Sequence, residues 1–237
     1  MALAPKATLV GFLDGVREDI HAAMERDPAA RSALEVLLTY PGVHALIAHR
    51  IAQRVDAAGF PLVARLVANT ARFTTGVDIH PKAHIGRFLF IDHGMGVVIG
   101  ETAEIGDRCH ILQGVTLGGT STLHEKRHPT LEDDVLVGAG AKLIGAITIG
   151  AGAKIGAGSV VVSSVPPGAT VVGVPGHVIA YANRSNDTIE RLPDPEWDRI
   201  DALERRITSL EAEITSYEAQ RKHNEQSATG DGRETLG

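Results

Sequence analysis

The stretch Leu131-Glu-Asp-Asp-Val-Leu-Val137-Gly-Ala-Gly-Ala-Lys-Leu143-Ile-Gly-Ala-Ile-Thr-Ile149-Gly-Ala-Gly-Ala-Lys-Ile155-Gly-Ala-Gly-Ser-Val-Val161 carries a branched aliphatic residue at every sixth position. A helix repeats every 3.6 residues and a simple strand every two, so neither explains a period of six. A repeat this regular marks a solenoid. The same period runs upstream through Ile79, Ile85, Ile91 and Val97, and again through Ile99, Ile105, Ile111 and Leu117. Glycine follows the aliphatic at Gly86, Gly100, Gly106, Gly118, Gly138, Gly150 and Gly156. Two residues before it the side chain is small at Ala83, Ala103, Cys109, Ala141, Ala153 and Ser159, with Ile147 the exception. This predicts a triangular coil with the aliphatics pointing inward, three hexapeptides making one turn of about 18 residues.

Two irregularities interrupt the repeat. The register slips by two between Val97 and Ile99, and it breaks between Leu117 and Leu131. The second break, Gly118 to Pro129, is polar and basic, and function tends to sit on loops that leave a regular scaffold.

The flanks differ. Residues 1–74 read as helices: Leu9, Phe12, Leu13, Val16 and Ile20 recur at three and four. Pro41-Gly42 and Gly59-Phe60-Pro61 divide the segment. Leu46, Ile47, Ile51 and Val55 form one apolar stripe, and Leu62, Val63, Leu66 and Val67 another, predicting a small helical bundle. Residues 75–182 form the solenoid. In residues 183–237 the steps between Ile200, Leu203, Ile207, Leu210, Ile214 and Tyr217 alternate three and four, a heptad seam that favours self-association. Residues 223–237 are polar and expected to be disordered.

Composition limits the classes of function. With 237 residues, 43% hydrophobic and 22% charged, the chain is globular, and its 26 glycines and 4% aromatics suit a core of small and branched side chains. A net charge of −6 disfavours nucleic acid and anionic membranes as partners. The single cysteine excludes an internal disulfide and a Cys-rich zinc module; Cys109 sits at an inward position and reads as core. No apolar run spans a membrane, and the charges at Lys6, Asp14, Arg17, Glu18 and Asp19 argue against a signal peptide, so a cytoplasmic protein is expected.

More specific pieces lie along the repeat. They are Val77-Asp-Ile-His-Pro81, Asp92-His-Gly-Met-Gly96, Gly100-Glu-Thr-Ala103 and Leu112-Gln-Gly-Val-Thr-Leu-Gly-Gly-Thr120. Lys126-Arg-His-Pro129 follows in the loop, and Val165-Pro-Pro-Gly168 with Gly173-Val-Pro-Gly176 closes the coil. In this order, behind Arg26-Asp-Pro-Ala29, the set resembles the serine O-acetyltransferases over residues 15–182. The resemblance implies an α+β fold: an N-terminal helical bundle, a left-handed parallel β-helix, then a C-terminal helix. It implies transfer of the acetyl group of acetyl-CoA to L-serine, giving O-acetyl-L-serine and CoA on the way to cysteine. It implies homotrimers, commonly paired into hexamers, with active sites between subunits, and feedback inhibition by L-cysteine. Many family members end in isoleucine, which docks into O-acetylserine sulfhydrylase; this chain ends Thr235-Leu-Gly237, which departs from that pattern.

Chemistry and resemblance together nominate residues. A serine hydroxyl needs a base to attack a thioester, and His93 is the candidate. Asp78 would hold the other ring nitrogen and favour the imidazolium that forms; the family pairs these two positions as a dyad. Arg127 suits the serine carboxylate through a bidentate contact. Asp92 and Asp27 suit the ammonium and hydroxyl end, and His128 adds a hydrogen bond; the resemblance places all four in the serine pocket. Asp27 reads equally as an N-cap before Pro28. Gly118, Gly119 and Thr120 would meet pantetheine or the thioester oxygen through backbone N–H groups. Ala139, Lys154 and Ala157 resemble family positions near acetyl-CoA, which is a co-substrate; no other cofactor and no metal is expected. A zinc site built from some of the eleven histidines, a different acyl acceptor, and a non-catalytic scaffold are the competing readings.

Overall fold

In a computed structural model of the chain, the backbone is described for residues 11–183, 188–191 and 195–230, and side chains for 11–181, 199–219 and 221. These residues fall in two compact units, divided after Leu192.

Four helices open the first unit: α1 (Phe12–Arg26), α2 (Ala33–Thr39), α3 (Pro41–Ala57) and α4 (Pro61–Thr75). Both prolines that divide the segment occupy a first helical turn, where the missing N–H leaves nothing unpaired. Ser32 caps α2 by accepting from the Glu35 amide at 3.2 Å. Gly76 ends α4 with a left-handed φ of 73°.

α1 and α3 are joined through a buried ion pair. Arg50 on α3 donates to both carboxylate oxygens of Asp19 on α1, at 2.9 and 2.8 Å, and the Asp19 side chain is inaccessible to solvent. Burial, against the pull of Arg50, raises the Asp19 pKa to about 6.

α4 corrects one sequence expectation. It buries Ala64, Ala68 and Thr75, while Leu62 is 73%, Leu66 57% and Phe73 79% exposed. The small side chains let α4 approach α3 and the first coil closely, so the large apolar residues face outward.

The solenoid follows as a three-sided parallel coil. β1 (Asp78–Ile79), β4 (Val98–Ile99), β7 (Thr116–Gly118), β10 (Lys142–Ile144) and β13 (Val160–Val161) form the first face. β2 (His84–Ile85), β5 (Glu104–Ile105), β8 (Thr130–Leu131) and β11 (Thr148–Ile149) form the second. β3 (Phe90–Ile91), β6 (His110–Ile111), β9 (Leu136–Val137), β12 (Lys154–Ile155) and β14 (Ala169–Val172) form the third. Antiparallel β15 (His177–Asn183) and β16 (Thr188–Arg191) extend this third sheet. In most strands the first residue faces out and the second, an aliphatic, faces in; Ile99, Ile111, Leu131, Leu143, Ile149 and Ile155 are fully buried. Each such burial contributes about 1.5–3 kcal/mol. Cys109 is core, as read, and burial pushes its pKa up to about 12.

Both irregularities are real insertions. Asp78 pairs with Val98 but Val98 with Thr116, which puts two extra residues in the corner between β3 and β4. Thr116 pairs with Lys142, which puts eight extra residues in the loop between β7 and β8.

The second unit is a single helix, α5 (Pro195–Gly230). The helix continues through residues 223–230, where disorder was expected; residues 231–237 lie outside the described residues.

His49 on α3 gives a pH prediction. Burial, reinforced by Arg50, pushes its pKa down to about 3 from 6.5. Below pH 6.5 the unfolded chain therefore binds the proton first, so this contribution to stability is present above pH 6.5 and is lost as pH falls toward 3. Asp19 acts in the opposite sense between about 6 and its ordinary 3.8, since the folded state takes up that proton first. His49→Leu should consequently lose less stability than the parent between pH 7 and 5, by up to about 1.4 kcal/mol per pH unit. Urea denaturation at several pH values measures this, and equal slopes for the two proteins would contradict it.

Candidate active site

The two inserted residues give the corner Asp92–Val97 a shape that no other corner of the coil has. His93 adopts a left-handed φ of 58°, which costs a non-glycine residue about 1–2 kcal/mol and turns its side chain outward, 74% exposed. α3 sits directly on this corner. A Cβ on Gly42 would lie 2.1 Å from the Ile91 carbonyl oxygen, so only glycine permits that approach.

Asp92 stands between two imidazoles. Its Oδ1 is 3.8 Å from His93 Nε2, and its Oδ2 is 3.9 Å from His110 Nε2. His110 lies on β6 with its ring 4.8 Å from that of Phe90, and burial lowers its pKa. From the helical side, Tyr40 Oη donates to Asp27 Oδ2 at 2.6 Å, while Asp27 Oδ1 accepts from the Ala29 amide at 2.8 Å. These two bonds, chiefly the phenol's, hold the Asp27 carboxyl below the usual range, and the charge of His93 adds to the effect. The Tyr40 pKa rises to about 12, with Asp92 among the contributors. Asp27, Tyr40, Asp92 and His93 thus share one electrostatic neighbourhood.

One expectation needs correction here. Asp27 is no N-cap: it closes α1 as its C-cap and forms a turn with Ala29. The Asp78 carboxylate, expected to orient His93, faces Arg72 of α4 in this structure, with Oδ2 3.6 Å from the guanidinium. This pair is about half exposed on both sides and so is weak. The Asp78 amide nevertheless bonds the Val97 carbonyl at 2.9 Å, so Asp78 lies alongside the corner that carries His93.

Arg127 and His128 stand elsewhere, beyond the other end of β4. The long loop folds back onto the Gly100–Ala103 corner, with Thr102 as its hub. Thr102 Oγ1 accepts from the amides of Arg127 and His128 at 3.0 and 3.1 Å. Thr102 N donates to His128 Nδ1 at 3.2 Å, which makes that nitrogen an acceptor and leaves the proton of the neutral ring on Nε2. Burial lowers the His128 pKa, in keeping with the neutral form. Arg127 Nη2 donates to Glu101 Oε2 at 2.5 Å, and this contact holds the Glu101 carboxyl below its usual range. Asp92 and His93 therefore precede β4, and Arg127 and His128 follow it, on opposite corners of one face.

The residues expected near acetyl-CoA divide in the same way. Ala139 and Ala157 lie on the corner between the third and first faces, in line above His93. The Gly158 amide bonds the Ala139 carbonyl at 2.8 Å, and a Cβ on Gly140 or Gly158 would meet nothing within 4 Å, so this strip is open. Gly118, Gly119 and Thr120 leave β7 on the opposite corner. Lys154 is exposed on the third face, on the strand that leads into the Ala157 corner. Another lysine stands beside the open strip: Lys142 on β10 donates to the Gly114 carbonyl at 2.5 Å and to Thr116 Oγ1 at 3.1 Å.

Sequence reasoning missed Tyr40, Glu101, Thr102, His110 and Lys142. Glu101 and Thr102 stood inside a quoted motif, which was their only signal. Among the described residues, no group of three or more His, Cys, Asp or Glu side chains is placed to hold a metal ion.

The family described as "Serine acetyltransferase, N-terminal" matches residues 9–48, and "Bacterial transferase hexapeptide (six repeats)" matches residues 128–163. A serine acetyltransferase of Bacillus subtilis (strain 168) is 53% identical over 199 residues, covering 83% of this chain and 92% of that protein. The crystal structure of Neisseria gonorrhoeae serine acetyltransferase in complex with serine superposes with a TM-score of 0.69 at 47% identity, covering 71% of this chain and 69% of that one. A serine acetyltransferase in complex with cysteine superposes with a TM-score of 0.70 at 42% identity, covering 71% and 70%.

Proposed function

The chain belongs to the serine acetyltransferase family, an acyltransferase on a left-handed hexapeptide β-helix, and from that footing we propose how its residues share the reaction. The acetyl group of acetyl-CoA passes to the hydroxyl of L-serine, giving O-acetyl-L-serine and CoA. His93 takes the hydroxyl proton as the oxygen attacks the thioester carbonyl, then returns it to the departing CoA thiolate. Asp78 turns from the weak Arg72 contact to the exposed ring of His93, orienting it and favouring its imidazolium form. Asp92 and Asp27 receive the substrate ammonium, with Tyr40 holding Asp27 in place. Arg127 exchanges Glu101 for the substrate carboxylate, and His128 donates from Nε2. Backbone N–H groups of Gly118, Gly119 and Thr120 face the thioester, while the Ala139–Ala157 strip carries the rest of the co-substrate; Lys154 offers its phosphates a point charge.

The observation that carries this reading is the exposed His93 beside Asp92, within electrostatic reach of Asp27. The split of both residue sets across the first face supports the assembly. If three copies pack face to corner, the His93 corner of one copy meets the Arg127 corner of its neighbour, and the site is complete only between chains. The exposed Leu62, Leu66 and Phe73 of α4 offer an apolar face on which two such trimers can pair into a hexamer. L-cysteine carries the same ammonium and carboxylate as serine, so the same contacts admit it as a competing inhibitor. No helix among the described residues is long and apolar enough to cross a membrane, which accords with a cytoplasmic enzyme. The terminus relevant to a sulfhydrylase complex lies outside the described residues, and we do not propose that complex.

Arg127→Ala tests the division of roles. Losing a charge-assisted hydrogen bond costs about 1.5–3 kcal/mol, so the KM for L-serine should rise about 10- to 100-fold while acetyl-CoA affinity is unchanged. A parallel loss of acetyl-CoA affinity would contradict the role given to Arg127.

A further inference from the structure

α5 has a surface that the acetyl-transfer reading leaves unused. Its seam residues are all exposed: Ile200 42%, Leu203 56%, Ile207 55%, Leu210 40%, Ile214 58% and Tyr217 69%. A polar helix gains most of its stability by packing an apolar face, and within its own unit this face covers nothing.

The spacing assigns Ile200, Ile207 and Ile214 to the a positions of a heptad and Leu203, Leu210 and Tyr217 to the d positions. The positions flanking that seam carry opposite signs. Glu204, Glu211 and Glu218 occupy the e positions, and Arg199 and Arg206 the first two g positions. When two copies run parallel and in register, each g residue meets the e residue five positions further on in the other chain. Arg199 then faces Glu204, and Arg206 faces Glu211; Glu213 against Glu218 is the like-charged exception. When they run antiparallel, e faces e, and every such contact sets glutamate against glutamate. The only compensating contact is Arg206 with Glu213 across the g positions. The charges therefore discriminate between the two directions as well as allowing association.

We propose that α5 is a parallel, in-register coiled-coil zipper and that the surface covering its seam is α5 of another copy of this chain. The seam from Ile200 to Tyr217 is about 26 Å long at 1.5 Å per residue, enough for a short coil but not for a strong one. Its value is as a tether: once the solenoids associate, the second contact forms at high effective concentration, and each contact strengthens the other. The proposal does not depend on which residues carry out acetyl transfer.

Cysteine cross-linking in the full-length protein tests it. A parallel in-register coil places each d residue opposite itself, so Leu203→Cys alone should oxidise to a disulfide-linked dimer. Ala212→Cys, on the outer face of the helix, should remain monomeric on a non-reducing gel. Antiparallel pairing would instead place residue 203 opposite residue 214, so a cross-link formed only when Leu203→Cys and Ile214→Cys proteins are mixed would overturn the proposal. Equal cross-linking at 203 and 212, or none at 203, would overturn it as well. Adding Glu204→Arg and Glu211→Arg to the Leu203→Cys protein should abolish the cross-link, and adding Arg199→Glu and Arg206→Glu should restore it. Failure of that restoration would contradict the role of the charges. Acetyl transfer assayed on the Leu203→Cys protein stays separate: absence of its cross-link with full activity overturns the zipper alone, and its cross-linking without activity overturns the catalytic reading alone.

Discussion

Replacing His93 by alanine lowers kcat by about 10²- to 10⁴-fold, the range for loss of a positioned general base. The seryl hydroxyl is then left without a proton acceptor while the pocket that binds it remains. The KM for both substrates therefore changes little, because His93 is an exposed side chain on a corner whose backbone is fixed by other contacts. Steady-state kinetics with each substrate varied in turn separates these effects. Wild-type turnover in the His93→Ala enzyme would end its assignment as the base. A rise in KM with kcat intact would make it a binding residue. Asp78→Asn should follow in the same direction with a smaller loss, since Asp78 acts through His93.

Arg50→Ala should cost about 3–5 kcal/mol of stability at neutral pH, because it strands the Asp19 carboxylate in a site that solvent does not reach. The loss should shrink toward pH 5, where a carboxyl already raised to about 6 by burial can take a proton instead. Replacing both partners together, Asp19→Leu with Arg50→Met, should recover most of the loss, since a well-packed apolar pair of similar size is often as stable as a buried ion pair. Denaturant melts of the two single variants and the double variant form the cycle. A single-variant loss below about 1 kcal/mol would place Asp19 in contact with water after all. Asp19 and Arg50 hold α1 to α3, and those helices carry Asp27 and Tyr40 to the His93 corner, so the pair also supports the site.

The solenoid was legible in the sequence because its core repeats: every coil puts an aliphatic at the same inward position, and Leu131 to Val161 shows it without a break. The insertions were legible for the same reason, as slips against that period, and one of them carries His93. What could not be read is any pairing that the chain's path alone decides. Asp78 was expected to orient His93; nothing in the sequence reveals that Arg72, arriving on α4, would face the Asp78 carboxylate. Arg127 was read as awaiting a carboxylate, and it already holds one, that of Glu101. Tyr40 and Asp27 meet only because α1 and α3 fold onto one another. The stripe of Leu62, Val63, Leu66 and Val67 was read as part of a helical bundle, yet in α4 the buried apolar residues are Ala64 and Ala68. Hydrophobic periodicity shows that a face is apolar, not whether its own chain or another copy covers it.

The account rests on serine being the acyl acceptor. The most direct measurement is release of the CoA thiol from acetyl-CoA by the purified protein, with L-serine and then with L-homoserine, L-threonine and a panel of sugars in its place. The account predicts release with L-serine far above the other acceptors, and suppression of that release by L-cysteine. Release with a sugar or with another hydroxy amino acid, and none with L-serine, would contradict it.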